Sequence, residues 1–345
     1  MAPELCRCSH DQQTPCGPAE GEPVNGGTGR DPLDDAARPS LQRMDSRQQL
    51  REFLASRRAK ITPRQAGLPT YGTHRRVPGL RREEVATLAG VSIEYYTRLE
   101  RGNASGASDS VLEALAGVLQ LDEAERAHLF DLARAARPAG RPRRRPPQQR
   151  VRPGVQQLLD AMRDVPAFVQ SGRLDVLAAN TLGRALYADL FDEADPHVRS
   201  GQLPNHARFT FLDPRAAELY PDWDRATGDT VALLRAEAGR NPDDRELTEL
   251  IGELTTRSER FSALWATHNV RWHTTGTKHF HHRVVGDLVL AYEGLVLAAD
   301  PGQTLITFTA EPGSPSHQAL QFLANWATSL EQGVAPDHAC EQRTL

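Results

Sequence analysis

The stretch from Arg82 to Gly102, REEVATLAGVSIEYYTRLERG, constrains this chain more than any other. Val85, Ala86, Leu88 and Ala89 recur at helical spacing, Gly90 interrupts them, and Ser92 stands where a helix N-cap is wanted. A second helix is then predicted through Arg101, with Gly102-Asn103 as its left-handed stop. Two short helices joined by a tight turn need three things: a small residue where they touch, a glycine that can take positive φ, and buried apolar residues on the second helix. Ala86, Gly90 and the trio Val91, Tyr96 and Leu99 meet these demands, so the segment reads as a helix-turn-helix.

In that geometry the N-terminal part of the second helix enters the major groove of duplex DNA. Ile93, Glu94 and Tyr95 are then the candidates for base edges, with Arg98 one turn further on. Ser92 and Arg101, together with Arg75, Arg76, Arg81 and Arg82 of the basic loop in front, are the phosphate candidates; such contacts position a protein without reading sequence. An αα-hairpin in a helical bundle would show the same periodicity, but it would not require the charge found here. The net charge of −4 is sorted along the chain, with −3 over residues 1–43, +8 over 44–150 and −9 over 151–345. A basic block beside an acidic one predicts a polyanion-binding module joined to one that avoids polyanions.

The surroundings of the motif are helical. Leu50, Phe53, Leu54 and Ile61 place one apolar stripe on a helix ended by Pro63. Residues 62–80 hold enough Pro and Gly to predict a long loop. Leu112, Leu115, Ala116 and Leu119 mark a further helix entered through Ser108 or Ser110, and Leu129, Phe130, Leu132 and Ala133 another. The expected organisation is an unstructured tail over 1–43, a helical DNA-binding domain over 44–136, an Arg/Pro-rich linker over 137–150, a second domain over 151–330, and a tail over 331–345. Periodic sequence begins just after Met44, which reads as an alternative start of the chain.

Beyond Val151 the periods mix. PAFVQ (166–170) and LDVLAA (174–179) read as strands joined by a tight Ser171-Gly172 turn, followed by helices around 180–190 and 225–267. HFHHRVV (279–285), DLVLAYEGLVL (287–297) and TLITFTAE (304–311) read as three more strands, and a closing helix is expected from Ser316 to Ser329. This order describes an α+β domain with an antiparallel sheet covered on one side.

Other classes fall away. Cys6, Cys8, Cys16 and Cys340 sit at the two ends, so no disulfide framework staples a core and a reducing, cytoplasmic setting fits. No segment is apolar for long enough to span a bilayer. No metal is expected: Cys6, Cys8, His10 and Cys16 lack a second ligand pair, and on a strand His279 and His281 face one way while His282 faces the other. Asp175, Asp213, Asp243 and Asp244 have no identifiable catalytic partner, and no nucleophile elbow, phosphate loop or dinucleotide fingerprint is present, so no enzyme activity and no cofactor are expected.

PGLRREEVATLAGVSIEYYTRLERG (78–102) resembles the DNA-binding domain of the Xre/Cro-repressor-like family in its actinobacterial form. PAFVQSGRLDVLAAN, FLDPRAAELYPDW, RNPDDRELTELIGEL, FSALWATHNV and AEPGSPSHQAL resemble the MmyB-type ligand-binding domain, a PAS-like fold, over nearly all of 151–330. The resemblance implies a multidomain, one-component transcription factor, an all-α helix-turn-helix domain followed by an α+β PAS-like sensor. It also implies a fatty-acid-like ligand. One departure is visible: similar proteins usually carry His-Pro where this chain has His282-Arg283.

For the sensor, Phe209, Phe211, Trp223, Phe261 and Trp265 are the expected walls of an apolar pocket, within an aromatic-rich segment that also holds Tyr220 and Trp272. Asn180 and His268 are the expected polar anchors, His268 because it falls four residues after Leu264 on one helix face. A homodimer is expected, since one helix-turn-helix covers only a few base pairs. The rival readings are an interaction scaffold with a filled C-terminal core and an enzyme fused to a DNA-binding domain.

Overall fold

The computed structural model describes residues 32–69, 77–137, 150–192, 194, 196–270 and 274–331, with side chains from Ser46 onward. Arg75, Arg76, Trp272, the terminal cysteines and most of the Arg/Pro linker lie outside the described residues. The chain divides into two units at Pro39 and Ser40, and the second holds every contact discussed below.

The N-terminal domain is built from α1 (Pro32–Lys60), α2 (Arg82–Leu88), α3 (Ile93–Glu100), α4 (Asp109–Val118) and α5 (Glu123–Ala136). α1 begins inside the stretch expected to be a structureless tail, at a proline whose fixed φ suits a first helical position. Leu50, Phe53 and Leu54 of α1 join Val85, Tyr96, Leu99, Leu112, Leu115 and Leu129 in one buried core. The ends of three helices use one device. After α2 the Val91 N–H donates to the Ala86 carbonyl, after α3 Asn103 to Arg98, and after α4 Leu121 to Ala116. In each the residue before the donor takes positive φ: Gly90 at 67°, Gly102 at 87° and Gln120 at 50°.

The second domain begins with α6 (Pro153–Ala161) and the hairpin β1 (Ala167–Ser171) and β2 (Val176–Ala179). It continues through α7 (Thr181–Leu186), a 3-10 turn (Ala188–Phe191), α8 (Pro196–Arg199), α9 (His206–Leu212), α10 (Arg215–Leu219), α11 (Trp223–Arg240), α12 (Arg245–Arg257) and α13 (Glu259–Trp265). β3 (Thr275–His282), β4 (Gly286–Val296), β5 (Gln303–Thr309) and α14 (Pro315–Glu331) close it. The five strands form an antiparallel sheet in the order β2-β1-β5-β4-β3.

Period-2 alternation sets the two faces of this sheet. Phe168, Phe280, Leu288, Leu290, Tyr292 and Phe308 point to α7, α9, α10, α11 and α14 and form the main core. The opposite face is not bare, as a sheet covered on one side would require: Val155 and Leu159 of α6 cover Ala167, Val169 and Leu305 there. β3 starts earlier than its expected 279 and ends at His282, and Arg283 to Val285 make the turn into β4. The β1–β2 turn also differs from a two-residue Ser171-Gly172 link. Leu174 takes φ 67° there, and burial of its side chain offsets the roughly 1–2 kcal/mol of that conformation. Gly172 lies directly against the Glu237 carboxylate of α11, which would have to shift to admit a side chain there.

Candidate functional site: an exposed recognition helix and a sensor cavity

The turn between α2 and α3 presents the N-terminal end of α3 to solvent. Ser92 caps it, its hydroxyl accepting from the Tyr95 N–H at 3.1 Å. Tyr96, Leu99 and Glu100 face inward, while Ser92, Ile93, Glu94, Arg98 and Arg101 are exposed and Tyr95 is half-buried. Ile93 is 48% exposed, so its side chain is accessible at the start of α3. The Arg98 guanidinium lies 5.2 Å from the centre of the Tyr95 ring, a cation–π contact that holds both on one side of the helix. Arg81 is exposed and pairs with Glu83 at 3.2 Å.

Arg82, one of the expected phosphate contacts, is engaged within the protein. It binds the carboxylate of Glu100, which is 2% exposed and also accepts from the Arg58 Nε at 2.7 Å. One buried carboxylate thus ties α1, α2 and α3 together. Removing it would leave the largely buried Arg58 without its carboxylate, holding on to the Leu80 carbonyl, whereas Arg82 is exposed and would be solvated. Glu100 carried no special signal in the sequence, because its burial depends on α1, which is remote in the chain.

In the second domain a cavity of about 60 Å³ lies between the inner face of the sheet and α9, α10 and α11. Phe168, Tyr187, Tyr220, Tyr292 and Phe308 supply its ring surfaces, and Gln170, His206, Thr210, Asp229, Thr230 and Lys278 its polar atoms. None of the seven sequence-expected ligand residues lines it. Asn180 caps α7 instead: its amide oxygen accepts from Ala167 and Gly183, and its amide nitrogen donates to the carbonyls of Met162 and Val165. Phe209 is in the main core, with Trp223 packed against it half-buried. Phe211, Phe261 and Trp265 form a separate cluster, Phe211 edge-on to Phe261 at 5.1 Å and Phe261 stacked on Trp265 at 5.5 Å.

His268 is not on a helix with Leu264, because α13 stops at Trp265 and His268 takes φ 53°. It sits where the two domains meet. Its Nδ1 is 3.0 Å from the Arg235 guanidinium, its Nε2 3.4 Å from Glu52 of α1, and its carbonyl accepts from Arg57 of α1. Burial and the neighbouring Arg235 cation push its pKa down to about 4. Beside it Lys60 donates to Asn269 at 2.8 Å, and Ala236 and Val270 join the core of the N-terminal domain. On β3, His279 and His281 are exposed whereas Lys278, Phe280 and His282 turn to the inner face, so the histidines do not converge. Among the described residues no group of His, Cys, Asp or Glu could hold a metal ion.

Residues 49–129 match the helix-turn-helix domain family, and residues 151–323 match the MmyB-like transcription regulator ligand binding domain. No curated protein matches the chain.

Proposed function

This chain belongs to the family of the MmyB-like transcription regulator ligand binding domain, and from that premise we propose how its two halves act on one another. It is a DNA-binding transcription regulator with a ligand-binding domain behind its helix-turn-helix. In our reading Ile93, Glu94, Tyr95 and Arg98 contact base edges. Ser92, Arg81, Arg82 and Arg101, with Arg75 and Arg76 of the preceding loop, contact phosphates. The regulator works as a homodimer in the cytoplasm, without catalysis, and its PAS-like half senses a small, fatty-acid-like molecule that modulates operator binding. Among the described residues no helix is long and apolar enough to cross a membrane.

One observation carries the coupling. α11 lines the cavity with Asp229, Thr230 and Leu233, and within the next two turns it packs Ala236 and Gly239 against the N-terminal domain. A helix is stiff along its axis, so a ligand that shifts the cavity end of α11 moves the end that touches α5. The shift goes only as far as the ligand's differential affinity for the two arrangements allows. The test is operator affinity, measured by fluorescence anisotropy on a duplex selected from random sequence, with and without the small molecules released from the purified protein. Equal affinity in both cases sinks the coupling.

A further inference from the structure

The cavity is not the uniformly apolar slot that a long acyl chain needs. His206 lines it, is buried, and neither of its imidazole nitrogens has a hydrogen-bond partner. Leaving such groups unpaired costs free energy unless something polar meets them. Lys278 also lines the cavity, placed there by strand alternation beside Phe280. Its ammonium lies 5.5 Å from the Tyr292 ring centre and 5.9 Å from that of Tyr220. These two aromatic faces, which would otherwise suit a cationic ligand, are therefore occupied by the protein's own cation.

The charge balance points the same way. The charged residues lining the cavity are Lys278 and Asp229, and Asp229 is also paired with Arg225 at 3.9 Å. Arg225 is half exposed and draws Asp229 toward the rim, so Lys278 is the cation inside the cavity. Burial lowers its pKa, and a ligand carboxylate beside the ammonium would offset that desolvation. The hydroxyls of Tyr187 and Tyr220 are already hydrogen-bonded to each other, so the unmet polar capacity rests at His206. Burial keeps that imidazole neutral, and a neutral imidazole still offers one N–H donor.

Size decides between short and long ligands. At roughly 15 Å³ per water in this measure, the cavity has room for about four waters, the bulk of one small ring. A long acyl chain would have to displace Phe168, Tyr187 and Phe308, which pack on one another at ring distances of 5.7 to 6.1 Å.

We propose that this cavity binds a compact carboxylic acid, aromatic or short and branched, whose carboxylate sits between Lys278 and His206 and whose apolar body stacks among the rings. The proposal rests on the ligand-sensing reading above and narrows it. The experiment is isothermal titration of the full-length protein with benzoate, phenylacetate, isovalerate and, separately, myristate. Lys278→Met and His206→Phe serve as variants, each checked for folding by circular dichroism.

At least one compact acid is expected to bind, with affinity reduced tenfold or more by Lys278→Met and several-fold by His206→Phe, which keeps a ring in place. Binding of myristate alone, or of none of the four acids, overturns the proposal, as does a compact acid held equally well by a folded Lys278→Met protein. Should a compact acid bind in this lysine-dependent way yet leave operator affinity unchanged, the site stands and the coupling through α11 is what fails.

Discussion

Gly239 of α11 and His128 of α5 are in such close contact that a Cβ on Gly239 would lie 2.6 Å from the imidazole Nδ1. His128 has no room to retreat: it is buried, and its ring meets Phe53 of α1 edge-on at 5.2 Å. At this point the two domains touch through backbone and a locked ring, beside the polar side-chain contacts around His268. Gly239→Ala is expected to force α5 and α11 apart and lower stability by about 1–3 kcal/mol, as overpacking of a filled contact does. The denaturant midpoint measures this. The same variant should lose most of the ligand effect on operator binding; a variant that keeps it would show that coupling runs elsewhere.

Stability should fall on mild acidification because buried imidazoles are held neutral, His128 and His206 the most strongly and His268 as well. Burial pushes the pKa of His128 and of His206 from 6.5 down to about 3, aided at His128 by the nearby Arg235 cation and at His206 by Lys278. As pH falls through about 6.5 the unfolded chain takes up these protons while the folded protein does not, so unfolding gains. The stabilisation is complete above about 6.5 and declines between there and about 3, by about 1.4 kcal/mol per pH unit for each histidine. His128→Phe should flatten the slope of unfolding free energy against pH by about that amount.

The helix-turn-helix was legible residue by residue because its signals are local. Ser92, Gly90 and Gly102 each act on a neighbouring turn, and the structure places each where the spacing requires it. The cavity was not legible, for a matching reason. Its walls come from β1, α9, α11, β3, β4 and β5, separated by more than a hundred residues of chain, whereas aromatic density along the sequence finds Phe211, Phe261 and Trp265, which pack on one another in a separate cluster. One signal was available: Lys278 shares strand parity with Phe280 and His282, and a lysine on the inward face of a strand is a charge in search of a partner. Asn180 and His268 do not line the cavity, because the fold uses their polar groups in a helix cap and in a domain contact, roles that look the same in sequence as a ligand anchor.

The turn after α4 offers a stabilising change. Gln120 holds φ 50° where the equivalent turns after α2 and α3 use Gly90 and Gly102, and its backbone makes the same hydrogen bonds, Gln120 N–H to Gly117 and Leu121 N–H to Ala116. A side chain in the left-handed region costs about 1 kcal/mol that glycine does not. Against this, the Gln120 amide donates to the Gln65 carbonyl at 2.8 Å, an exposed bond of small net worth. Gln120→Gly is expected to leave stability equal or raise it by up to about 1 kcal/mol in thermal unfolding. A loss of more than 1 kcal/mol would assign the loop around Gln65 a larger structural role.

The two exposed arginines of the recognition helix should fail differently. Arg98 lies against Tyr95, one turn on from the exposed N-terminal end of α3, whereas Arg101 follows the end of α3 at the turn into Gly102. A guanidinium on a base edge discriminates, while one on a phosphate contributes mainly through counterion release. Arg98→Ala is expected to weaken binding to a selected operator by about 1–3 kcal/mol and to relax sequence preference at one position. Arg101→Ala should weaken selected and random duplexes alike and reduce the slope of log K against log salt by about 0.9. Anisotropy titrations of both variants across a salt series, on selected and random DNA, separate the two; identical salt slopes and identical preferences in both variants would reverse the assignment of roles.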